Sequence, residues 1–158
     1  MPSNDPQDWV PLDRTFTHRI HTLMKLADRI TQTAYEQESG IPAHEARCLA
    51  AVGNFAPLSI KDLARCANLD KAQASRAAQA LVDKSLIIKS SSPTDGRGVV
   101  LNLTAEGKQV WQKTMRLVTR RNQEITACLN TQEAQQLDSL LDKLVSHAWE
   151  TAATTASP

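Results

Sequence analysis

Glycine is scarce in this chain, five residues in 158. No glycine-rich phosphate loop, nucleophile elbow or paired-acid cleft pattern occurs, which argues against an enzyme. The three cysteines, Cys48, Cys66 and Cys128, lie far apart and form no CxxC, so neither a disulfide framework nor a zinc ribbon is expected. Cys48 and Cys66 fall among apolar neighbours and read as small core residues, with Cys128 the more accessible thiol. No signal peptide and no long apolar run is found, and a reduced, cytoplasmic chain without a membrane span is the expectation. Aromatics make up 4% of residues, and Trp9, Trp111 and Trp149 stand alone rather than interleaved with bases, the pattern of packing residues rather than stacking platforms. His18 and His21 sit three apart without a neighbouring carboxylate or thiol motif, so no metal site is assigned and no cofactor is expected. A formal net charge of +1 gives no global sign of a polyanion binder.

What the chain does have is an ordered run of local signals from Ser59 to Leu103. Ser59 with Asp62, and Asp70 with Gln73, are cap pairs three residues apart, each followed by apolar residues at helical spacing. Only Ala67-Asn68-Leu69 separates the two helices, and Asn68 tolerates the left-handed backbone such a tight turn needs. The second helix is expected over Lys71 to Lys84, burying Ala74, Ala77, Ala78, Leu81 and Val82 and leaving Lys71, Gln73, Ser75, Arg76 and Gln79 on its other faces. The period then changes. Leu86 to Ile88 and Val99 to Leu103 are β-prone and flank a Ser-Ser-Ser-Pro-Thr-Asp-Gly turn, which predicts an antiparallel pair. Helix, turn, helix and β-wing in this order predict a winged helix-turn-helix, with long donors placed to reach base edges in a major groove. Arg97 falls just past the turn, where a guanidinium suits a narrow minor groove, and Asp95 is placed to hold it extended.

Charge is distributed accordingly. Residues 59 to 97 hold seven bases against four acids, a local +3, whereas residues 1 to 58 carry −2 and residues 98 to 158 balance. The positive excess coincides with the reading element.

The flanks are amphipathic helices. Phe16, Ile20, Leu23, Ala27, Ile30 and Ala34 recur at spacings of four and three, and Gly40-Ile41-Pro42 ends that run. A helix from about Pro42 to Phe55 buries Ala46, Cys48, Leu49 and Ala50; Thr104 caps one running to about Leu129, with Val110, Trp111, Leu117, Val118 and Ile125 apolar. Thr131 is the expected cap of the last, striped by Leu137, Leu140, Leu141, Leu144, Val145 and Ala148. This is more apolar helix surface than one small winged domain covers, so the fold class is mainly α with a small β-wing and with terminal helices forming a dimerisation layer. The expected organisation is an arm over 1–12, dimerisation helices over 13–40 and 104–150, a winged domain over 41–103 and a loose tail over 151–158. Two-fold pairing presents two reading helices about 34 Å apart, and a palindromic duplex follows.

Leu86-Ile87-Ile88-Lys89, Pro93-Thr94-Asp95-Gly96-Arg97 and Leu103-Thr104-Ala105-Glu106-Gly107, with Ala74-Ser75-Arg76 upstream, make the chain resemble the MarR family of bacterial regulators over about residues 14 to 148. The resemblance implies a helical homodimer that represses transcription and leaves its operator when a small molecule binds. Ser75 and Arg76 match the family's Ser-Arg or Thr-Arg pair in the reading helix, and Arg97 its wing arginine. Ser85 stands where a glycine often precedes the leucine, and Lys89 where an arginine is common. Residues assigned to DNA are Ser59, Lys71, Gln73, Ser75, Arg76, Lys89, Asp95 and Arg97. For an aromatic carboxylate or related effector, in a crevice lined in the family by the first, second and fifth helices, the candidates are Arg14, His18, His21, His44 and Arg47. Two other readings stay open: a winged-helix protein-interaction module and a thiol-based redox sensor.

Overall fold

Residues 9 to 94, 96 and 98 to 155 are described by the computed structural model. After a short 3-10 turn at Leu12–Arg14, α1 spans Phe16–Ala34 and widens into a π-helical turn at Tyr35–Ser39. Gly40, at φ 74°, ends it in the left-handed region that glycine enters without penalty. The helices α2 (Ala43–Phe55), α3 (Ile60–Cys66) and α4 (Lys71–Asp83) follow, then β1 (Ile87–Ser91), β2 (Val99–Leu103), α5 (Ala105–Ile125) and α6 (Thr131–Thr155).

The caps form as their spacing predicts. Ser59 Oγ accepts the amide of Asp62 at 3.1 Å, although the Asp62 carboxylate accepts a hydrogen bond from the Ser59 hydroxyl at 2.8 Å rather than reaching back to a main-chain amide. Asp70 and Gln73 complete a reciprocal capping box: the Gln73 amide donates to Asp70 Oδ1 at 2.7 Å and the Asp70 amide donates to Gln73 Oε1 at 3.2 Å. Asn68 takes φ 52° in the turn between α3 and α4. At α6 the expectation needs correction, because Asn130 and not Thr131 is the cap, exchanging bonds with Glu133 in a second box. Likewise α6 runs on to Thr155, into the stretch expected to be a loose tail, and α5 ends at Ile125 rather than near Leu129.

A core gathers around α2. Cys48, Leu49 and Val52 are sealed against Leu63, Ala74, Ala78, Leu81, Ile87 and Leu101. Alanines on the buried face of α4 allow close approach of the neighbouring helices, and Leu81 fills the space at its end. The two strands pair antiparallel from Ile87 opposite Leu103 to Ser91 opposite Val99. Leu58 adds a single bridge to Leu101, its carbonyl accepting the Leu101 amide at 2.8 Å, so the base of the wing is tied to the entry of α3.

Two glycines sit where another element leaves no room for a side chain. A Cβ on Gly53 would lie 2.2 Å from the Trp111 indole, which lies over α2 at that position. A Cβ on Gly107 would lie 1.7 Å from the Leu86 carbonyl oxygen. Beside it, Thr104 accepts the Gly107 amide at 2.8 Å while its hydroxyl donates to Ser85 O at 2.7 Å. The glycine of the Leu-Thr-Ala-Glu-Gly run is therefore a contact requirement between the first turn of α5 and the end of the reading segment. Ser85 adopts φ 58°, which explains why a glycine suits this position.

The chain divides within α5, after Thr119, into two compact units. In the first, α1 buries no residue, and Phe16, Leu23 and Ile30 stay exposed. In the second, α6 also buries none, and Leu140, Leu144 and Trp149 are open. Both helices thus carry apolar stripes that a single chain does not cover.

Candidate nucleic-acid interface and adjoining cavity

Burial of Ala74, Ala77, Ala78 and Leu81 fixes which side of α4 faces outward. Lys71, Ser75, Arg76 and Gln79 are exposed on it. Gln73 is exposed too, but its amide oxygen serves the capping box, so its first task is to hold the helix start. Ser59 is half-buried and its hydroxyl is engaged with Asp62. Lys89, on β1, directs Nζ to Gln79 Oε1 at 2.7 Å, a contact between wing and reading helix that the sequence did not suggest. Asp95 and Arg97 lie outside the described residues; nearby, the Ser92 amide donates to Gly98 O at 2.8 Å.

The far end of α4 is anchored by a pair that sequence reasoning missed. Glu45 of α2 is 5% exposed and forms an ion pair with Lys84, the C-cap of α4. A lysine at a helix C-terminus also answers the negative end of the helix dipole. The placement of Glu45 among apolar residues of α2, 39 positions from its partner, has no local signature.

Next to the start of α4 lies a cavity of about 270 Å³. Its walls are Asp28, Thr31 and Gln32 of α1, Tyr35 of the π-helical turn, Ala43, His44 and Arg47 of α2, then Leu69 and Gln73 from the helix-turn-helix. Arg47 donates to Asp28 Oδ1 at 2.6 Å, a pairing that spans α2 and α1. Burial pushes the Tyr35 hydroxyl above its usual range, with Asp28 acting in the same direction and Arg47 opposing both. Of the residues assigned to an effector, His44 and Arg47 are brought together here, whereas Arg14, His18 and His21 are exposed on or before α1 and do not line the cavity. The wall made by Asp28, Tyr35 and Gln73 was not anticipated.

The remaining groups narrow the chemistry. Burial raises the Cys48 thiol to about 12, with the Glu45 carboxylate adding to the effect, so this thiol stays protonated and inert near neutral pH. Cys66 is half-buried and Cys128 exposed, all three thiols being free. Among the described residues no three His, Cys, Asp or Glu side chains converge as metal ligands, and no helix is long and apolar enough to cross a membrane.

A capped helix-turn-helix with a polar, basic outer face, joined to an antiparallel wing, defines a winged helix-turn-helix DNA-binding protein. The sequence model of the MarR family matches residues 39–98. The uncharacterised HTH-type transcriptional regulator YxaD of Bacillus subtilis is 32% identical over 96 residues, which span 61% of this chain and 67% of that protein. Among solved structures, a MarR/EmrR family regulator from Acinetobacter sp. ADP1 superposes with a TM-score of 0.79 at 26% identity, covering 89% of this chain and 99% of that one. Bordetella bronchiseptica BpsR, whose DNA binding is regulated by 6-hydroxynicotinic acid, superposes with a TM-score of 0.75 at 20% identity, covering 87% and 97%. The chain belongs to the MarR family, and it is a transcriptional regulator rather than an enzyme.

Proposed function

We propose that this regulator is a homodimeric repressor that reads a palindromic duplex with α4 and leaves it when a small aromatic acid or its thioester occupies the cavity beside that helix. The observation that carries the reading is the outward face of α4, where Lys71, Ser75 and Arg76 are exposed around a helix start fixed by the Asp70–Gln73 box. Base edges are met by Ser75 and Arg76, phosphates by Lys71, and the minor groove by Arg97 at the wing. The uncovered stripes of α1 and α6 supply the dimer surface, and two-fold symmetry in the protein demands a matching symmetry in the duplex.

The effector side rests on the cavity. Its volume suits a single-ring compound, and Arg47 offers a carboxylate a planar, bidentate partner once Asp28 gives way. Because Gln73 is both a wall of the cavity and half of the α4 capping box, an occupant acts on the reading helix directly. That Bordetella BpsR responds to an aromatic acid supports the same class of effector here.

Fluorescence anisotropy tests the DNA reading. The wild-type protein should select a duplex with dyad symmetry from a random library, and its affinity should fall with salt by about 0.9 log units per log unit for each phosphate neutralised. Arg76→Ala should cut discrimination within the half-site by about tenfold. Binding that ignores both salt and Arg76 refutes the reading. For the effector, hydroxylated benzoates and nicotinates should raise the melting temperature of the wild type and not of Arg47→Ala.

A further inference from the structure

Lys89, assigned to DNA from the sequence, and Gln79, an outward residue of α4 given no contact, form a polar link between reading helix and wing. Gln79 Nε2 donates to Asp83 Oδ1 at 2.8 Å one turn further along α4, and Gln79 Oε1 accepts from Lys89 Nζ of β1 at 2.7 Å. A side-chain amide satisfies an acid with its NH2 group and an ammonium with its oxygen. Only one orientation of the amide satisfies both, so Asp83 fixes the face that Gln79 shows to the wing. Cross-strand pairing carries the constraint onward: Lys89 sits opposite Leu101, in the strand that also bridges Leu58. On the opposite flank of the same helix end, Lys84 is held by Glu45.

We infer that the Asp83–Gln79–Lys89 chain is a strut that sets the wing at a fixed angle to α4, making Gln79 and Lys89 positioning residues for sequence recognition rather than direct contacts to DNA. A reading helix and a wing address neighbouring grooves, so the span between them decides which spacing of base steps is met at once. An extended lysine that touched phosphate would add affinity to every sequence equally; a strut adds it only to the duplex whose grooves match the fixed span. The inference rests on α4 and the wing facing DNA.

The test measures affinity for the duplex selected by the wild-type protein and for a scrambled one, across a salt series, with melting curves confirming that the variants fold. Lys89→Met and Gln79→Ala should each weaken the selected duplex by about fivefold, the scale of an exposed charge-assisted contact, and leave the scrambled duplex unchanged. The salt slope should stay at the wild-type value, and the double variant should lose no more than either single one, because both break the same chain. Gln79→Glu alone should fail by facing Asp83 with a second carboxylate. Combining it with Asp83→Asn restores a donor toward residue 79 at unchanged total charge and should recover the affinity. A salt slope reduced by about one unit in Lys89→Met shows a phosphate contact and overturns the strut, as do additive losses or a swap that recovers nothing. A wild-type protein that selects no duplex overturns the DNA reading and the strut together, whereas the other failures strike the strut alone.

Discussion

Replacing Gly107 by alanine places a methyl group 1.7 Å from the Leu86 carbonyl oxygen. Non-bonded carbon and oxygen do not approach much below about 3 Å, so one element must retreat by more than 1 Å. Leu86 is poorly placed to do so: it is 5% exposed, its amide is bound to Leu81 O at 2.9 Å and its carbonyl accepts the Thr104 amide at 3.1 Å. Overpacking of this kind costs about 1–3 kcal/mol, and loosening the Thr104 contacts adds about 1 kcal/mol. Against this, alanine gains at most about 1 kcal/mol of helix propensity over glycine. The expected net effect is a loss of about 2 kcal/mol, equivalent to a melting temperature lower by about 4–8 °C in a chain of this size. Thermal and urea unfolding at one fixed protein concentration measure it, since the proposed dimer would make stability depend on concentration. A variant as stable as the wild type, or more so, would mean that α5 does not start in contact with Leu86, and the argument would fail.

Ser85→Gly should act in the opposite sense, raising stability by about 0.5–1 kcal/mol in urea titrations by relieving the φ 58° backbone, with the entropy of the freer unfolded chain limiting the gain. Lys84→Met leaves the buried Glu45 carboxylate without its partner and should cost about 2 kcal/mol, most of which Glu45→Gln in the same chain should return. For Cys48, the folded thiol titrates at about 12 while the unfolded one ionises near the ordinary value, so the unfolded state sheds its proton first as pH rises. Stability should therefore decline between pH ~9 and pH ~12, a slope that Cys48→Ala should reduce, and alkylation near neutral pH should label Cys128 well before Cys48.

Much of the reading segment was legible because its determinants are local. Ser59 with Asp62 and Asp70 with Gln73 are three residues apart, and a helix start needs nothing more distant than its own first turn to satisfy its free amides. The alanine face of α4 and the antiparallel wing follow from periodicity and turn chemistry in the same way. At Asn130 the local signal was present and misread: the side chain that accepts the Glu133 amide lies one residue before the threonine taken as the cap. Residues split between local and distant roles were harder. The spacing of Gln73 from Asp70 already marks it as half of a cap, whereas its place in the cavity wall depends on how α1 and α2 dock and leaves no local signal.

Sequence alone determined the order of elements, the buried alanine face of α4 and the family, since each depends on interactions within a few residues or on motifs that stand together in the chain; on α2 it is Ala51 and Val52, not Ala50, that are buried. Tertiary structure decided the rest. Glu45 meets Lys84, Arg47 meets Asp28, Lys89 meets Gln79, Leu58 joins Leu101 and the Trp111 indole lies over Gly53. Most of these partners are far apart in sequence, and the choice of partner for a charged or polar side chain is set by which groups the packed core leaves within reach. The physical reason is that hydrophobic burial is non-directional and fixes only which face turns inward, whereas hydrogen bonds and ion pairs require a geometry that exists only after the helices have docked.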